Sequence, residues 1–247
     1  MKAIVTGTNG TVAPVLVRVL EAAGHTVVAW DRARVPADDR AAARAFLHAE
    51  RPDWCFHLAT GSPAWAEEVA RLCAQQRVAF LFTSSVSVFS AAQQGPFSIE
   101  RVPQPADEYG RYKLECERRV RAAHPEARVV RLGWQIGVTP GANHMVDHLV
   151  RTMREEGEIK ASTAWYQACS FLDDTAEGLL TLMERLGPGL YHLDGNPGLD
   201  FYEIVSGLKR MLEAPWSVVP TETPIQNNLL RDARLAVRPI TERFGTV

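Results

Sequence analysis

The sequence predicts an α/β fold on a doubly wound parallel sheet, and three observations predict it. Short apolar runs alternate with helical patterns from Lys2 to Leu132. A turn of Gly, Thr and Asn joins the first apolar run to the first helical pattern. After Gly133 the alternation loosens, as expected of a smaller lobe added to the main sheet. At 247 residues the chain is near the upper size for one hydrophobic core.

Each element has its own reason. Lys2–Thr6 is short and apolar, a strand. Val12–Ala23 has helical periodicity and stops at Gly24, a good carboxyl-terminal cap. Thr26–Trp30 is β-branched and apolar, which predicts a buried parallel strand. Ala41–His48 reads as helix, Trp54–Leu58 as strand, Trp65–Gln76 as helix and Phe80–Thr83 as strand. Residues 86–108 form a connection punctuated by Pro96, Pro103 and Pro105. Tyr109–Ala123 is a strongly charged helix and Val129–Leu132 a strand. Beyond it, Ala142–Glu155, Asp173–Leu186 and Phe201–Glu213 read as helices, and Leu190–Leu193 as a strand returning to the sheet. The expected division is a nucleotide-binding unit at 1–134, with a returning segment near 165–195, and a substrate lobe at 135–164 and 196–247.

Composition narrows the function. A net charge of −2 leaves no electrostatic footprint for nucleic acid or an anionic membrane surface. No apolar run reaches membrane-spanning length, and Met1 leads straight into a strand pattern without a signal peptide. Cys55, Cys73, Cys116 and Cys169 are widely spaced, as expected of buried reduced thiols in a cytoplasmic protein. His144 and His148 have metal-ligand spacing, but no third ligand accompanies them, and no metal site is predicted. Asp173 and Asp174 suit a helix amino terminus. Glu115, Glu117, Arg118, Arg119 and Arg121 read as a solvated helix face.

Three clusters point to chemistry. In the turn Gly7-Thr-Asn9-Gly10-Thr11-Val12, glycine lets backbone approach a pyrophosphate at a helix amino terminus. Asp31, at the end of the second strand, suits the hydroxyls of an adenosine ribose; Arg32 and Arg34 suit a 2′-phosphate instead. The balance favours NAD and leaves NADP open. Tyr109 and Lys113 lie four residues apart, one helical turn, where a cation lowers a phenol's pKa and readies it for proton transfer. Ser84, Ser85 and Ser87, at the end of a cofactor-side strand, compete to hold a substrate carbonyl.

Together these segments carry a resemblance. Thr6-Gly7-x-x-Gly10, His57-Leu58-Ala59-Thr60, Ser84-Ser85-Val-Ser87-Val-Phe89 and Tyr109-Gly-Arg-Tyr-Lys113 resemble the extended short-chain dehydrogenase/reductases. Gly95-Pro-Phe-Ser-Ile-Glu100, Arg131-Leu-Gly-Trp134, Asn143 and Gly189-Leu-Tyr-His192-Leu resemble the dTDP-4-dehydrorhamnose reductase group within them. The resemblance implies a Rossmann-type domain with a small carboxyl-terminal substrate lobe. It implies hydride transfer from a nicotinamide to the ketone of a sugar nucleotide. Ser85 and Tyr109 would be catalytic, and Lys113 would bind the cofactor ribose. Gly7, Asn9, Gly10, Thr11, Val12, Asp31, Arg32, Leu58, Ala59 and Thr60 would hold the cofactor. Ser87, Trp134 and Asn143 would meet the substrate; Trp165, in a segment that differs from the group, either stacks on a base or sugar of the substrate or fills the core. A homodimer through the Tyr109 helix is a further implication. An epimerase or dehydratase on the same scaffold, or a non-catalytic cofactor-binding regulator, are the alternatives.

The pattern departs from the group in an asparagine missing near Trp65 and Ala66, in an acidic residue missing around Pro36–Ala37 with Asp38 and Asp39 close by, and in two longer stretches. The stretch between Thr60 and the Trp65 helix is short, and the group's Asp-Gln-x-Gly-x-Pro-Thr segment reads Ala164-Trp-Tyr-Gln-Ala-Cys-Ser170. Both belong to the substrate side.

Overall fold

A computed structural model describes residues 1–138, 141 and 143–245. The strands are β1 (Lys2–Thr6), β2 (Thr26–Ala29), β3 (Trp54–His57), β4 (Ala79–Ser85), β5 (Arg128–Leu132), β6 (Trp134–Ile136), β7 (Ile159–Ser162), β8 (Trp165–Tyr166), β9 (Cys169–Phe171), β10 (Gly189–Leu193), β11 (Val218–Thr221) and β12 (Gln226–Asn227). The helices are α1 (Ala13–Ala22), α2 (Arg40–Glu50), α3 (Pro63–Gln76), α4 (Glu108–Ala123), α5 (Met145–Glu156), α6 (Leu172–Arg185) and α7 (Phe201–Met211).

Six parallel strands form the main sheet in the order β10-β5-β4-β3-β1-β2. Strand alternation divides the core between its two faces. Ile4, Cys55, Phe80, Phe82 and Val129 pack under α2, α3 and α4, with Leu47, Val69 and Cys116. Ala3, Val5, Phe56, Leu81 and Val130 point the other way, against Leu16 and Leu20 of α1 and Leu179 and Leu182 of α6. The sheet is therefore doubly wound. After β1 the chain passes to β2 on one side, then returns to β3 on the other. That reversal opens a crevice at the carboxyl ends of β1 and β3.

β2 corrects one expectation. It is the edge strand and is only half-buried, since an edge has a neighbour on one side alone. The expected helix start at Ala142 lies outside the described residues; α5 begins at Met145. The short parallel pairs β6–β9, β7–β11 and β8–β12 were not legible, because two- to four-residue strands leave no usable period. Of the segment 165–195, α6 and β10 belong to the main sheet's layers, whereas β8 and β9 pair with β12 and β6. The lobe has its own core of Ile136, Leu149, Phe171, Ile204, Leu208 and Trp216.

Two buried ion pairs revise the reading of surface charge. Glu117 is only 3 % exposed and chelates the equally buried Arg131 through contacts of 2.9 and 2.8 Å. It lies one turn beyond Lys113, on the face of α4 that packs on the sheet, so it leaves the solvated group. Asp174 is buried and chelated by Arg243 at 2.8 and 2.6 Å, tying the tail to the start of α6. Its role exceeds compensation of a helix dipole. All four cysteines are free and buried. Among the described residues no helix is long and apolar enough to cross a membrane.

Candidate active site

The crevice is a cleft of about 1280 Å³, with walls that run from the phosphate-type turn to the lobe. At its floor the hydroxyl of Thr6 accepts hydrogen bonds from the amides of Leu58 and Ala59, both at 3.1 Å. This pins the end of β1 to the end of β3. Gly7 follows with φ of 77°, and a Cβ there would lie 2.8 Å from the Ala59 nitrogen. Glycine is required at this position both by conformation and by close approach.

The turn delivers the chain into α1 with its amino terminus open. Val12 supplies no capping side chain, and the first turn carries no acid. By contrast α2, α3, α4, α5 and α7 are capped by Asp39, Ser62, Asp107, His144 and Asp200. Free N–H groups and the positive end of the dipole thus face the cleft beside Asn9, Gly10 and Thr11. These residues fit the pyrophosphate of a dinucleotide. Asp31 lines the cleft near Arg32, and its carboxylate also accepts from the Ala33 amide at 2.9 Å. Arg32 reaches over the Trp65 ring, and Arg34 does not line the cleft.

Across the cleft, α4 presents Tyr109 and Lys113. Asp107 caps this helix by accepting from the Gly110 amide at 2.6 Å. Gly110 lets the helix touch the turn after β4: a Cβ there would sit 2.0 Å from the Ser87 carbonyl oxygen. The phenol of Tyr109, 47 % exposed, is thereby brought beside Ser85. Alternation along β4 turns the Ser84 hydroxyl away from the cleft and leaves Ser85 and Ser87 there. Ser84 is buried and donates to Glu117 at 2.5 Å. Ser85 donates to the Ser87 hydroxyl at 3.1 Å, and both line the cleft.

Lys113 is buried and donates from Nζ to the Thr83 carbonyl at 2.9 Å. Its ammonium lies 5.8 Å from the centre of the Tyr109 ring and 5.0 Å from that of Phe82. Burial lowers its pKa to about 8, with Cys116 and Glu117 opposing the shift. Tyr109 corrects an expectation. Burial raises its pKa, the Ser85 hydroxyl works against that rise, and the phenol stays protonated at neutral pH.

The predicted residues converge with one exception. Gly7, Asn9, Gly10, Thr11, Val12, Asp31, Arg32, Leu58, Ala59, Thr60, Ser85, Ser87, Tyr109, Lys113, Trp134 and Asn143 all line the cleft. Trp165 does not; its ring packs 4.5 Å from Phe201 in the lobe core. His144 caps α5, and the His148 ring lies tilted 5.3 Å from that of Trp134. The reading missed Gln135, Gln167, Gln226 and Asn228, which also line the cleft. They come from separate segments joined only by folding, and no spacing in the sequence links them.

The short connection after β3 has its own anchor. The Tyr112 hydroxyl accepts from the Gly61 amide at 3.1 Å, holding this segment against α4. A Cβ at Gly61 would collide with the Trp65 ring at 2.5 Å.

Comparison with known proteins gives the family and the fold. Residues 63–244 match the RmlD substrate binding domain family. A dTDP-4-dehydrorhamnose reductase of Mycolicibacterium smegmatis is 26 % identical over 212 residues, 76 % of this chain, and the match spans 62 % of that relative's length. A 2′-dehydrokanamycin reductase of Streptomyces kanamyceticus is 34 % identical over 151 residues, 54 % of this chain and 42 % of that protein. The crystal structure of a dTDP-4-dehydrorhamnose reductase from Bacillus anthracis in complex with NADP superposes with a TM-score of 0.85. It is 18 % identical, covering 98 % of this chain and 96 % of that one, and so establishes a shared fold.

Proposed function

Because the chain belongs to the RmlD substrate binding domain family, within the extended short-chain dehydrogenase/reductases, we propose that it is an NAD(P)H-dependent reductase of a keto sugar. One observation carries the proposal: Ser85, Tyr109 and Lys113 meet in a cleft that also holds an uncapped helix amino terminus. The two relatives are named for different substrates, one on dTDP and one not, and both names specify a dehydro sugar. That shared chemistry is what we assign to this chain.

The nicotinamide, when bound, supplies the hydride. The residues do the rest. The turn Gly7–Val12 and the amino terminus of α1 would hold the pyrophosphate. Asp31 would receive the adenosine ribose hydroxyls, which favours NADH over NADPH. Lys113 would hold the other ribose and bring a positive charge close to Tyr109. Ser85 would donate to the substrate carbonyl and fix its direction. Tyr109 would give its phenolic proton to that oxygen, and the product would be an alcohol. A phenol raised in pKa is the right form for this step, because the developing alkoxide is far more basic than the phenolate.

The test is direct. Purified protein is titrated with NADH and with NADPH, and oxidation of each is followed with keto-sugar acceptors. Binding of neither cofactor would end the proposal. Loss of turnover in Tyr109→Phe with cofactor affinity retained is the expected signature.

A further inference from the structure

Three neighbouring strands carry a polar row beneath α4. Strand pairing sets Ser84 opposite Arg131 and Arg131 opposite His192, so the three share one face of the sheet near the carboxyl ends of β4, β5 and β10. Further down the strands the same face is apolar, with Phe80, Phe82 and Val129 in the core. Glu117 closes the row from above. It accepts from Arg131 Nε and Nη2 at 2.9 and 2.8 Å and from the Ser84 hydroxyl at 2.5 Å. The Phe97 carbonyl can only accept, so His192 donates to it from Nδ1 at 3.1 Å. That leaves His192 Nε2 to accept from Arg131 Nη1 at 3.4 Å. None of the four side chains belongs to a residue more than 4 % exposed.

Stability alone does not call for this row, since well-packed apolar residues often match or better a buried ion pair. Its position has a further consequence. α4 grips β4 at two consecutive residues. The Thr83 carbonyl accepts from Lys113 at 2.9 Å, and Ser84 donates to Glu117, one helical turn further along. The next residue, Ser85, is the one brought beside Tyr109 in the cleft. The helix is thereby locked to the strand directly behind the reacting groups.

Glu117 also acts on the Lys113 ammonium. The titratable groups around that ammonium are Tyr109, Tyr112, Cys116 and Glu117 on α4 and His57 at the end of β3, with Arg131 of β5 behind Glu117. Burial raises the pKa of Tyr109, Tyr112 and Cys116 and lowers that of His57 to about 3, so these four are uncharged at neutral pH. Glu117 is the carboxylate of the group.

We propose that Glu117 is a positioning residue of the reaction: clamped by Arg131, it is the counter-charge behind the Lys113 ammonium and, through Ser84, it holds the end of β4 so that Ser85 meets Tyr109. This rests on the reductase reading above and deepens its site.

Two kinds of variant test it, each first shown to be folded by circular dichroism. Glu117→Gln/Arg131→Met removes both charges and keeps the interior neutral. NADH affinity is followed by fluorescence from pH 6 to 9. In the parent it weakens as Lys113 loses its proton near pH 8. Without the counter-charge the ammonium is less stable, and the same loss should come about one pH unit lower. Glu117→Gln alone should move it in the same direction. Ser84→Ala keeps the ion pair and should leave this midpoint in place. With a dTDP-linked 4-keto-6-deoxyhexose its kcat should fall about tenfold, with KM for NADH held within about twofold. A purely structural role would lower stability and leave midpoint and kcat alone. An unmoved midpoint in the folded charge variants overturns the proposal, as does a parental kcat in Ser84→Ala or an NADH affinity in the parent that is flat with pH. If neither charge variant folds, the kcat of Ser84→Ala decides. A parent that binds no nicotinamide, or reduces no dTDP-linked keto sugar, removes the reductase reading instead.

Discussion

The two walls of the cleft are made differently. The cofactor wall uses backbone: the Gly7 turn, the amides at the start of α1, and strand ends locked by the Thr6 hydroxyl. The lobe wall uses side-chain amides gathered from β6, the β8–β9 turn and the segment at β12. Backbone recognition depends on φ and close approach, so it tolerates few substitutions. Side-chain recognition can be rewritten residue by residue. The difference teaches where substitution is tolerated: few changes fit the backbone wall, and many fit the side-chain wall.

Four experiments would break or sharpen that contrast. The largest effect belongs to Tyr109→Phe, which removes the proposed proton donor but leaves the Gly7 turn and the start of α1 intact. Turnover should fall by about 10²–10⁴-fold, with nicotinamide affinity held within about twofold, read by cofactor oxidation and fluorescence titration. A Tyr109→Phe protein that still turns over at the parental rate would show that the proton comes from elsewhere.

Next is the pair behind the catalytic helix. Glu117→Ala leaves Arg131 buried without a counter-charge, and should cost about 3–5 kcal/mol in denaturant unfolding. A loss below about 1 kcal/mol would mean that the pair is hydrated and does not support the wall.

Gly7→Ala tests the backbone wall itself. The added methyl meets the Ala59 nitrogen at 2.8 Å, and the residue must hold a φ of 77°. The expected cost is about 1–3 kcal/mol of stability, with cofactor affinity down tenfold or more. Retained affinity in a folded variant would detach the turn from cofactor binding.

The smallest effect is on pH. Lys113 is charged below its pKa of about 8 and loses its proton as pH rises through that value. Its positive charge is thus complete at pH 6 to 7 and mostly gone by pH 9. Cofactor affinity should weaken several-fold over that interval in the parent protein, and Lys113→Met should flatten the profile. An unchanged slope in the variant would move the titration to another group.

Much of this architecture is written locally. The strand–turn–helix at 2–22, the capped helices and the Tyr109–Lys113 spacing depend on neighbours within a few residues, so periodicity and cap chemistry reveal them. Surface charge was less legible. In the chain Glu117 looks like a solvated acid and Asp174 like a charge at a helix start, and only their partners Arg131 and Arg243 make them interior. The expected fall in the pKa of Tyr109 failed for a similar reason. The spacing promised a cation nearby, but partial desolvation of the phenol raises its pKa.

By itself the sequence determined the parallel α/β order, the glycine turn and the residues suited to cofactor and proton, because each is a short-range pattern of hydrophobicity or conformational freedom. The tertiary structure decided that Ser84 turns its hydroxyl to Glu117 while Ser85 and Ser87 stay at the cleft, that Trp165 belongs to the lobe core, and that carboxamides line the same cleft. Those outcomes rest on segments up to about ninety residues apart meeting at one surface, and such meetings are fixed by packing rather than by any local spacing.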